Sequence, residues 1–517
     1  MNNNSRLKNS FKNMQVALLF YLLNLILQFF FRKIFIDYLG IEVLGLNTTA
    51  MNLLQFLNIA ELGVGAAVSY SLYKPLAVNN HQNINEIISV QGYLYNRIGF
   101  LVLIFGLVLM LFFPLIFTEM KLPLWYAYST FGVLFLSSLT SYFFNYQQIL
   151  LVSDQKEYKV NYVLQGVKLF KVLFQLLSIY YFTNGYYWWV FWEVVAILII
   201  IFGIRHTLKK EYPWLNTNII NGKSLLVKHS EITLKTKQLF AHKLAGFVLN
   251  ESTPLIIFSF TSLSFIAIYG NYLLVISGVT ALLAALFNSI NAGIGNLVSE
   301  SNTSKIELVF EELFTIRFFL AIIACYSLYK LTPIFITFWV GSKFVLDSST
   351  LILLVVLMFL NITRLTVDSF LNAYGLFKDI AAPIIELIIN ITFSILLGKF
   401  FGINGVLVGV ILSMFIIVVC WKPFFLFNKG IKTNFIKYVI MYLKQITIAL
   451  FVIFISEFIL SKITIDPYNT IFSFLIYSFL ILSIITILLF VFFILFTNGM
   501  NLFISRIKNF ILLKDGR

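Results

Sequence analysis

The sequence predicts an all-α polytopic membrane protein with about fourteen transmembrane helices. Three observations predict it. Of the 517 residues, 60% are hydrophobic and only 11% are charged, whereas a soluble domain carries about 25% charged residues. The apolar residues come in runs near twenty residues, the length that crosses a hydrocarbon core of about 30 Å at about 1.5 Å per residue. Tyr and Trp gather at run ends (Tyr73, Trp125, Trp188, Trp189, Trp339 and Trp421), where amphipathic rings mark the membrane interface.

The basic N-terminus 1–13 precedes an apolar run from Met14 to Phe31. That run begins like a signal peptide, but it is long, lacks a small-residue cleavage site and ends on Arg32-Lys33. It is therefore the first span. The others fall at 45–72, 92–117, 124–151, 160–182, 186–205, 240–261, 265–298, 314–337, 349–376, 381–400, 403–427, 439–461 and 470–497. The second and eighth are long for one helix, which predicts tilt or extension past the bilayer.

A net charge of +15 would suggest nucleic acid as a partner in a soluble protein. Here the basic residues lie in alternate loops, which makes them topology signals. With both termini in the cytoplasm, one side holds residues such as Lys74, Lys156, Lys223, Lys378, Lys432 and Arg517. The other keeps only Arg32, Lys33, Lys121, Lys343, Lys399 and Lys462, a bias of roughly fourfold. Cys325 and Cys420 lie in apolar runs and read as two free, buried thiols.

The longest loop, 206–239, is basic and divides six spans from eight. It reads as a linker, or as an amphipathic segment on anionic lipid. The organisation is then 1–205 (spans one to six), the linker 206–239, 240–430 (spans seven to twelve), and 431–517 (two last spans and a cytoplasmic tail). A weak repeat relates the halves. Gly63-Val64-Gly65 ends the second span as Gly293-Ile294-Gly295 ends the eighth, and Asn184-Gly185 echoes Asn404-Gly405. Transporter folds often contain such repeats.

Eight basic residues remain inside spans: Arg97, Lys168, Lys171, Lys243, Arg317, Lys330, Arg364 and Lys444. Each costs about 2.5–3.5 kcal/mol at the bilayer centre. Arg317, Lys330 and Lys444 are near span ends and are expected to snorkel to the interface. The others share helix faces with polar residues at steps of three and four. The tenth span carries Asn361, Arg364, Asp368 and Asn372; the fifth Gln165, Lys168, Lys171 and Gln175; the first Asn24, Gln28 and Arg32. The eleventh carries Glu386, Asn390 and Ser394, and the seventh Lys243, Asn250 and Glu251. Any one stripe is explained as well by interhelical hydrogen bonding and by ion pairing, for instance Arg364 with Asp368. Several together point to a hydrated cavity, with Glu61, Glu193 and Glu251 as candidate partners for its cations.

No nucleotide-binding, metalloprotease or serine-hydrolase motif occurs, and the four His show no metal-ligand spacing. The chain is expected to be a transporter rather than an enzyme, without a cofactor, and driven by an ion gradient or by the cargo's own gradient.

Several segments resemble the bacterial polysaccharide-transporter family, the oligosaccharide-lipid flippases. They are Asp37-Tyr38-Leu39-Gly40-Ile41-Glu42, Ala60-Glu61-Leu62-Gly63-Val64-Gly65, Asp154-Gln155-Lys156-Glu157-Tyr158, Ile268-Tyr269-Gly270-Asn271-Tyr272, Arg364-Leu365-Thr366-Val367-Asp368 and Phe401-Gly402-Ile403-Asn404-Gly405. Their order and spacing carry the resemblance, over roughly 35–430. That family belongs to the multidrug, oligosaccharidyl-lipid and polysaccharide exporter superfamily. The resemblance implies two pseudo-symmetric six-helix lobes around a central cavity, two further C-terminal helices, and alternating access in the bacterial plasma membrane. It implies a polyprenyl-diphosphate-linked oligosaccharide as cargo, for capsule, O-antigen or exopolysaccharide, with H+ or Na+ coupling. A polysaccharide polymerase and a chain-length regulator are then the expected protein partners, and no nucleic acid. Arg32, Arg97, Lys168, Lys171, Lys243, Arg364 and Asn271 are the cavity candidates; Glu61, Glu193, Glu251, Asp368 and Glu386 are the coupling or ion-pair candidates. One departure matters: related sequences often carry an acid where this chain has Pro254, with Glu251 one turn earlier. The rivals are a lipid II or teichoic-acid precursor flippase, a multidrug antiporter and a membrane polysaccharide polymerase.

The charge bias sets a topology test. Reporter fusions at Lys223 and Lys432 are expected to read cytoplasmic and fusions at Lys121 and Lys343 external; an external signal at Lys223 would overturn the fourteen-span reading.

Overall fold

The computed structural model describes residues 3–61, 63–288, 291–300, 302–376, 379 and 381–515. Among them the chain is helical, with no strand. In order, the helices are α1 (Asn3–Leu39), α2 (Ile41–Leu57), α3 (Val64–Ala77), α4 (His81–Leu111), α5 (Phe113–Ile116), α6 (Trp125–Phe143), α7 (Gln148–Ser153), α8 (Glu157–Tyr181), α9 (Gly185–Glu211), α10 (Gly222–Lys228) and α11 (Ser230–Ser259). There follow α12 (Leu263–Asn288), α13 (Asn291–Ser299), α14 (Thr303–Trp339), α15 (Ser348–Ala373), α16 (Ala381–Met414), α17 (Lys422–Phe425), α18 (Phe435–Leu460), α19 (Ile471–Phe496) and α20 (Asn498–Asp515). The chain is a multi-pass, all-α membrane protein.

Nine helices among the described residues are long and apolar enough to cross a membrane. One of these stretches, Ala381–Ile431, is 51 residues long and holds the eleventh and twelfth expected spans. They are divided at Gly402, whose φ of 57° and ψ of −137° belong to glycine alone. The second, fourth, seventh and ninth expected spans fall on α2–α3, α6, α11 and α14. These are broken, or richer in polar and charged residues, which is why composition alone does not count them.

The chain forms two compact units, Met1–Ala267 and Ile268–Arg517. In the first, α8 packs between α1 and α9, α6 packs on α2, α4 and α9, and α11 packs on α2 and α3. The second expected span is not one tilted helix. It breaks after Leu57 into a short 3₁₀ turn over Asn58–Glu61, and α3 starts beyond Gly63, which has φ 93°. The eighth expected span falls on α12 and α13. The expected linker is folded: α10 packs on α4, Asn85 Oδ1 accepts from Asn216 N at 3.0 Å, and Ser89 Oγ accepts from Asn218 N at 2.9 Å. His81 stacks on Trp214 with ring centroids 3.8 Å apart.

In the second unit, α14 packs on α15, α18, α19 and α20. Phe310, Phe314 and Phe318 of α14 form the core with Phe370, Phe427, Tyr438, Tyr442 and Phe493. The expected tail carries α20, docked on α14 by the pairing of Arg506 with Glu312 at 2.7 Å. Wide π-type turns over Phe415–Trp421 and Leu426–Ile431 flank α17. Cys325 is buried, but Cys420, on one of these turns, is exposed, correcting the expectation of two buried thiols.

Replacing Gly402 forces an L-residue into a glycine-only backbone. Gly402→Ala is expected to cost about 1–3 kcal/mol, read as a lower unfolding midpoint of the purified protein. Gly132→Ala, inside α6 with open space around its Cα, should be neutral or slightly stabilising.

Candidate functional site

In the first unit the polar stripe of α8 faces two ways. Lys171 and Gln175 turn to α9, where Glu193 is buried. Lys171 Nζ lies 2.8 Å from Glu193 Oε1, and Gln175 Nε2 donates to the same carboxylate at 3.0 Å. Lys171 is thus a neutralised structural cation. One turn earlier, Lys168 is exposed and forms no ion pair among the described residues. Gln165 accepts from Asn24 Nδ2 at 3.1 Å, tying α8 to α1. On α1, Arg32 Nη1 donates to Ala267 O at 3.4 Å. Arg97, on α4, is exposed and lies over the Tyr93 ring at 4.7 Å, again with no ion pair among the described residues. The side chains of Lys243 and Glu251 lie outside the described residues.

A second polar group surrounds the break between α2 and α3. Tyr95 donates to Glu61 Oε1 at 2.5 Å, while Tyr142 and Ser138 donate to Asn58 Oδ1 at 3.0 and 3.1 Å. Helix breaks at membrane depth release backbone groups and are tolerated where polar neighbours re-satisfy them. Tyr95, Tyr142 and Asn58 were not singled out by sequence, since each looks like an ordinary interfacial or loop residue.

The segment Asp154-Gln155-Lys156 has a structural role. Lys156 pairs with Asp154 at 2.8 Å and with Glu211 at 3.3 Å, Lys159 also binds Glu211, and Tyr212 donates to Asp154 at 2.8 Å. Burial works to lower the Lys156 pKa, but the hydrogen bonds and charges of Asp154 and Glu211 outweigh it and raise it. The knot joins the starts and ends of α7, α8 and α9.

The second unit gathers its charges around Asp368 of α15. Arg364 Nε lies 2.9 Å from Asp368 Oδ2, and Lys422 Nζ lies 3.1 Å from Oδ1. Arg317 of α14, expected to snorkel, is instead buried to 1% exposure. Its Nη1 donates to Thr366 Oγ1 at 3.3 Å, and its guanidinium covers the Phe287 ring at 4.7 Å. A residue early in a span by hydropathy is interior because α14 begins eleven residues before the expected span, at Thr303. Glu386, from α16, is buried at 5% and feels the charges of Lys422, Arg364 and Asp368. Asn271 is buried in α12. Lys330 binds Glu457 at 2.8 Å, while Lys444 is exposed.

The described cations are thus of two kinds, those paired with carboxylates (Lys171, Lys330, Arg364 and Lys422) and those exposed without an ion pair among the described residues (Arg97 and Lys168). The comparisons place the fold. The chain resembles the lipid II flippase MurJ in an inward closed conformation, with a TM-score of 0.64 and 16% identity over 92% of this chain and 99% of that one. It resembles an inward-facing multidrug resistance transporter of the MATE family, in the MOP superfamily, with a TM-score of 0.59 and 13% identity over 80% and 97%. It also resembles the Vibrio cholerae MATE transporter VcmN, at 0.51 and 13% over 83% and 99%. No family model matches the sequence, and no curated protein matches it. The chain therefore shares its fold with these membrane-protein structures.

Asp368→Ala should leave Arg364 and Lys422 facing each other with their shared anion gone, a loss of about 3–5 kcal/mol for a buried pair, discounted here because all three side chains keep partial exposure. Asp368→Asn, which retains hydrogen bonding, should be milder. Unfolding midpoints of the two purified variants are the measurement; equal midpoints would count against the cluster as a structural tie.

Proposed function

We propose that this chain is a flippase that carries a polyprenyl-diphosphate-linked oligosaccharide from the cytoplasmic to the outer face of the bacterial plasma membrane, by alternating access. Both termini are then cytoplasmic, and the product feeds a polymerase and chain-length regulator making capsule, O-antigen or exopolysaccharide. The observation that carries this reading is the pair Arg97 and Lys168. Arg97 lies about 8 Å into the expected third span, counted from residue 92, and Lys168 about 12 Å into the fifth, counted from 160, at about 1.5 Å per residue, so both lie within expected spans. Both are exposed without an ion pair among the described residues. An exposed cation at that depth faces water or an anion, because hydrocarbon would cost about 2.5–3.5 kcal/mol. A diphosphate head supplies the anion, while its polyprenyl tail stays in lipid.

The multidrug reading fits less well, since cationic drugs call for acidic walls. A lipid II cargo is the second reading. It is supported by the fuller coverage of this chain in the likeness to MurJ than in the likeness to the multidrug structures, and its diphosphate head makes the same chemical demand. Coupling to H+ or Na+ is assigned to Glu61, held by the Tyr95 hydroxyl, and to the buried Glu386.

Arg97→Gln and Lys168→Gln are each expected to lower surface polysaccharide about tenfold per membrane-inserted molecule, the worth of one lost charge-assisted hydrogen bond. Lipid-linked intermediates should accumulate on the inner face, and Arg97→Lys should recover part of the activity. The intermediate that accumulates identifies the cargo, repeat unit or lipid II. Unchanged normalised export in both Gln variants would sink the cationic-path reading.

A further inference from the structure

One end of the second unit holds a cavity of about 300 Å³ where α18 begins, α19 ends and α14 passes. Its charged walls are Glu307 and Glu311 of α14 and Lys437 and Lys444 of α18. Glu307 and Lys437 pair at 2.7 Å. Glu311 and Lys444 act on each other electrostatically, yet neither is in an ion pair among the described residues. The cavity thus holds an anion and a cation apart. Gln445 also lines it and is 1% exposed. Its Nε2 donates to Thr315 Oγ1 at 2.8 Å, while its Oε1 has no hydrogen-bond partner. A buried amide oxygen without a donor is costly, and a ligand N–H would satisfy it.

Thr497 and Asn498 add two polar groups, and the rest of the lining is apolar or aromatic, including Phe310, Tyr438, Met441 and Ile440. Ile440 is 60% exposed, and Leu443 and Phe496 beside it are 57% and 49% exposed. The cavity therefore opens between helix ends onto a hydrocarbon-like surface, where headgroups meet acyl chains. A simple anion would meet the carboxylates, and a simple cation the ammoniums. A ligand carrying both charges a short distance apart matches both walls at once.

We propose that this cavity binds the headgroup of a phospholipid with a phosphate and a primary ammonium, of the phosphatidylethanolamine class. Lys444 takes a phosphate oxygen, and the ammonium donates to Glu311 and to Gln445 Oε1, each a charge-assisted hydrogen bond. The acyl chains run along Ile440, Leu443 and Phe496. A trimethylated ammonium has no N–H to donate, so a choline headgroup is discriminated against. The site is independent of the cargo and stands whether or not the flippase reading does.

The test uses the full-length protein, purified and delipidated, with phosphatidylethanolamine, phosphatidylcholine or phosphatidylglycerol of identical acyl chains. Native mass spectrometry reads bound lipid, and thermal unfolding reads stabilisation. The ethanolamine lipid is expected to bind about tenfold more tightly than either of the others, the worth of one charge-assisted hydrogen bond. Glu311→Gln, which keeps the side-chain shape, should reduce it to the level of the choline lipid, and Lys444→Met should weaken ethanolamine and choline lipids alike. Gln445→Leu should also erase the preference; if it fails to fold, Glu311→Gln carries the test. Equal binding of ethanolamine and choline lipids by the unmodified protein, or an undiminished preference in Glu311→Gln, overturns the proposal.

Discussion

Hydrocarbon offers no hydrogen bond, so each polar group carried into it must find its partner within the chain. In the second unit that demand converges on Asp368. A single carboxylate receives Arg364 from its own helix and Lys422 from near the end of the twelfth span, and so holds α15 against the π-turned segment. Wide turns are favoured where a helix must re-aim a side chain without ending, and Lys422 stands between two of them. Arg317 sits close by, its aromatic cover from Phe287 replacing part of the water it has lost. The first unit meets the same demand differently, by breaking a helix and surrounding the break with Tyr95, Tyr142 and Ser138.

Two kinds of stabilisation are therefore separated in space. Phe-rich packing around α14 is non-directional and tolerant of exchange, as the ring contacts of Phe310, Phe314 and Phe318 with four other elements indicate. The ion pairs are few and specific. Lys171 with Glu193 and Lys330 with Glu457 are part-buried pairs, and part-buried pairs fix which helices are neighbours more than they add net stability. A fold whose lipid-facing positions need only be apolar can change most of its residues and keep its shape.

Hydropathy and charge bias made the spans and the fold class legible, because membrane thickness dictates length and loops carry the basic residues. Helical spacing also brought Arg364 and Asp368 onto one face. What spacing could not show was long-range partnership. Arg317 reads as an interfacial residue and Cys420 as an interior one, because each assignment depends on where a helix starts or which way a segment turns, and nothing in the spacing brings Lys422 to Asp368. The break at Asn58–Glu61 was folded into one long expected span, although Asn58 and the nearby Gly63 were its local signal. Asp154 and Lys156, conspicuous as a motif, form an ion-pair knot at helix ends. The side chains of Lys243 and Glu251 stand outside the described residues, so the seventh span's share of any polar path is carried by sequence alone.

The backbone at Gly402 turns the chain around within a residue or two, so that Asn390 reaches Ser413 at 3.3 Å and Ser394 reaches the carbonyl of Val406 at 3.1 Å. A reversal this tight leaves no tether by which one arm could cross the bilayer and wait for the other. The two arms must enter together, as a preformed hairpin whose polar residues are already shielded by each other when they first leave water. For this stretch the turn and the contacts across it stand together, so a lesion at Gly402 would loosen both arms at once.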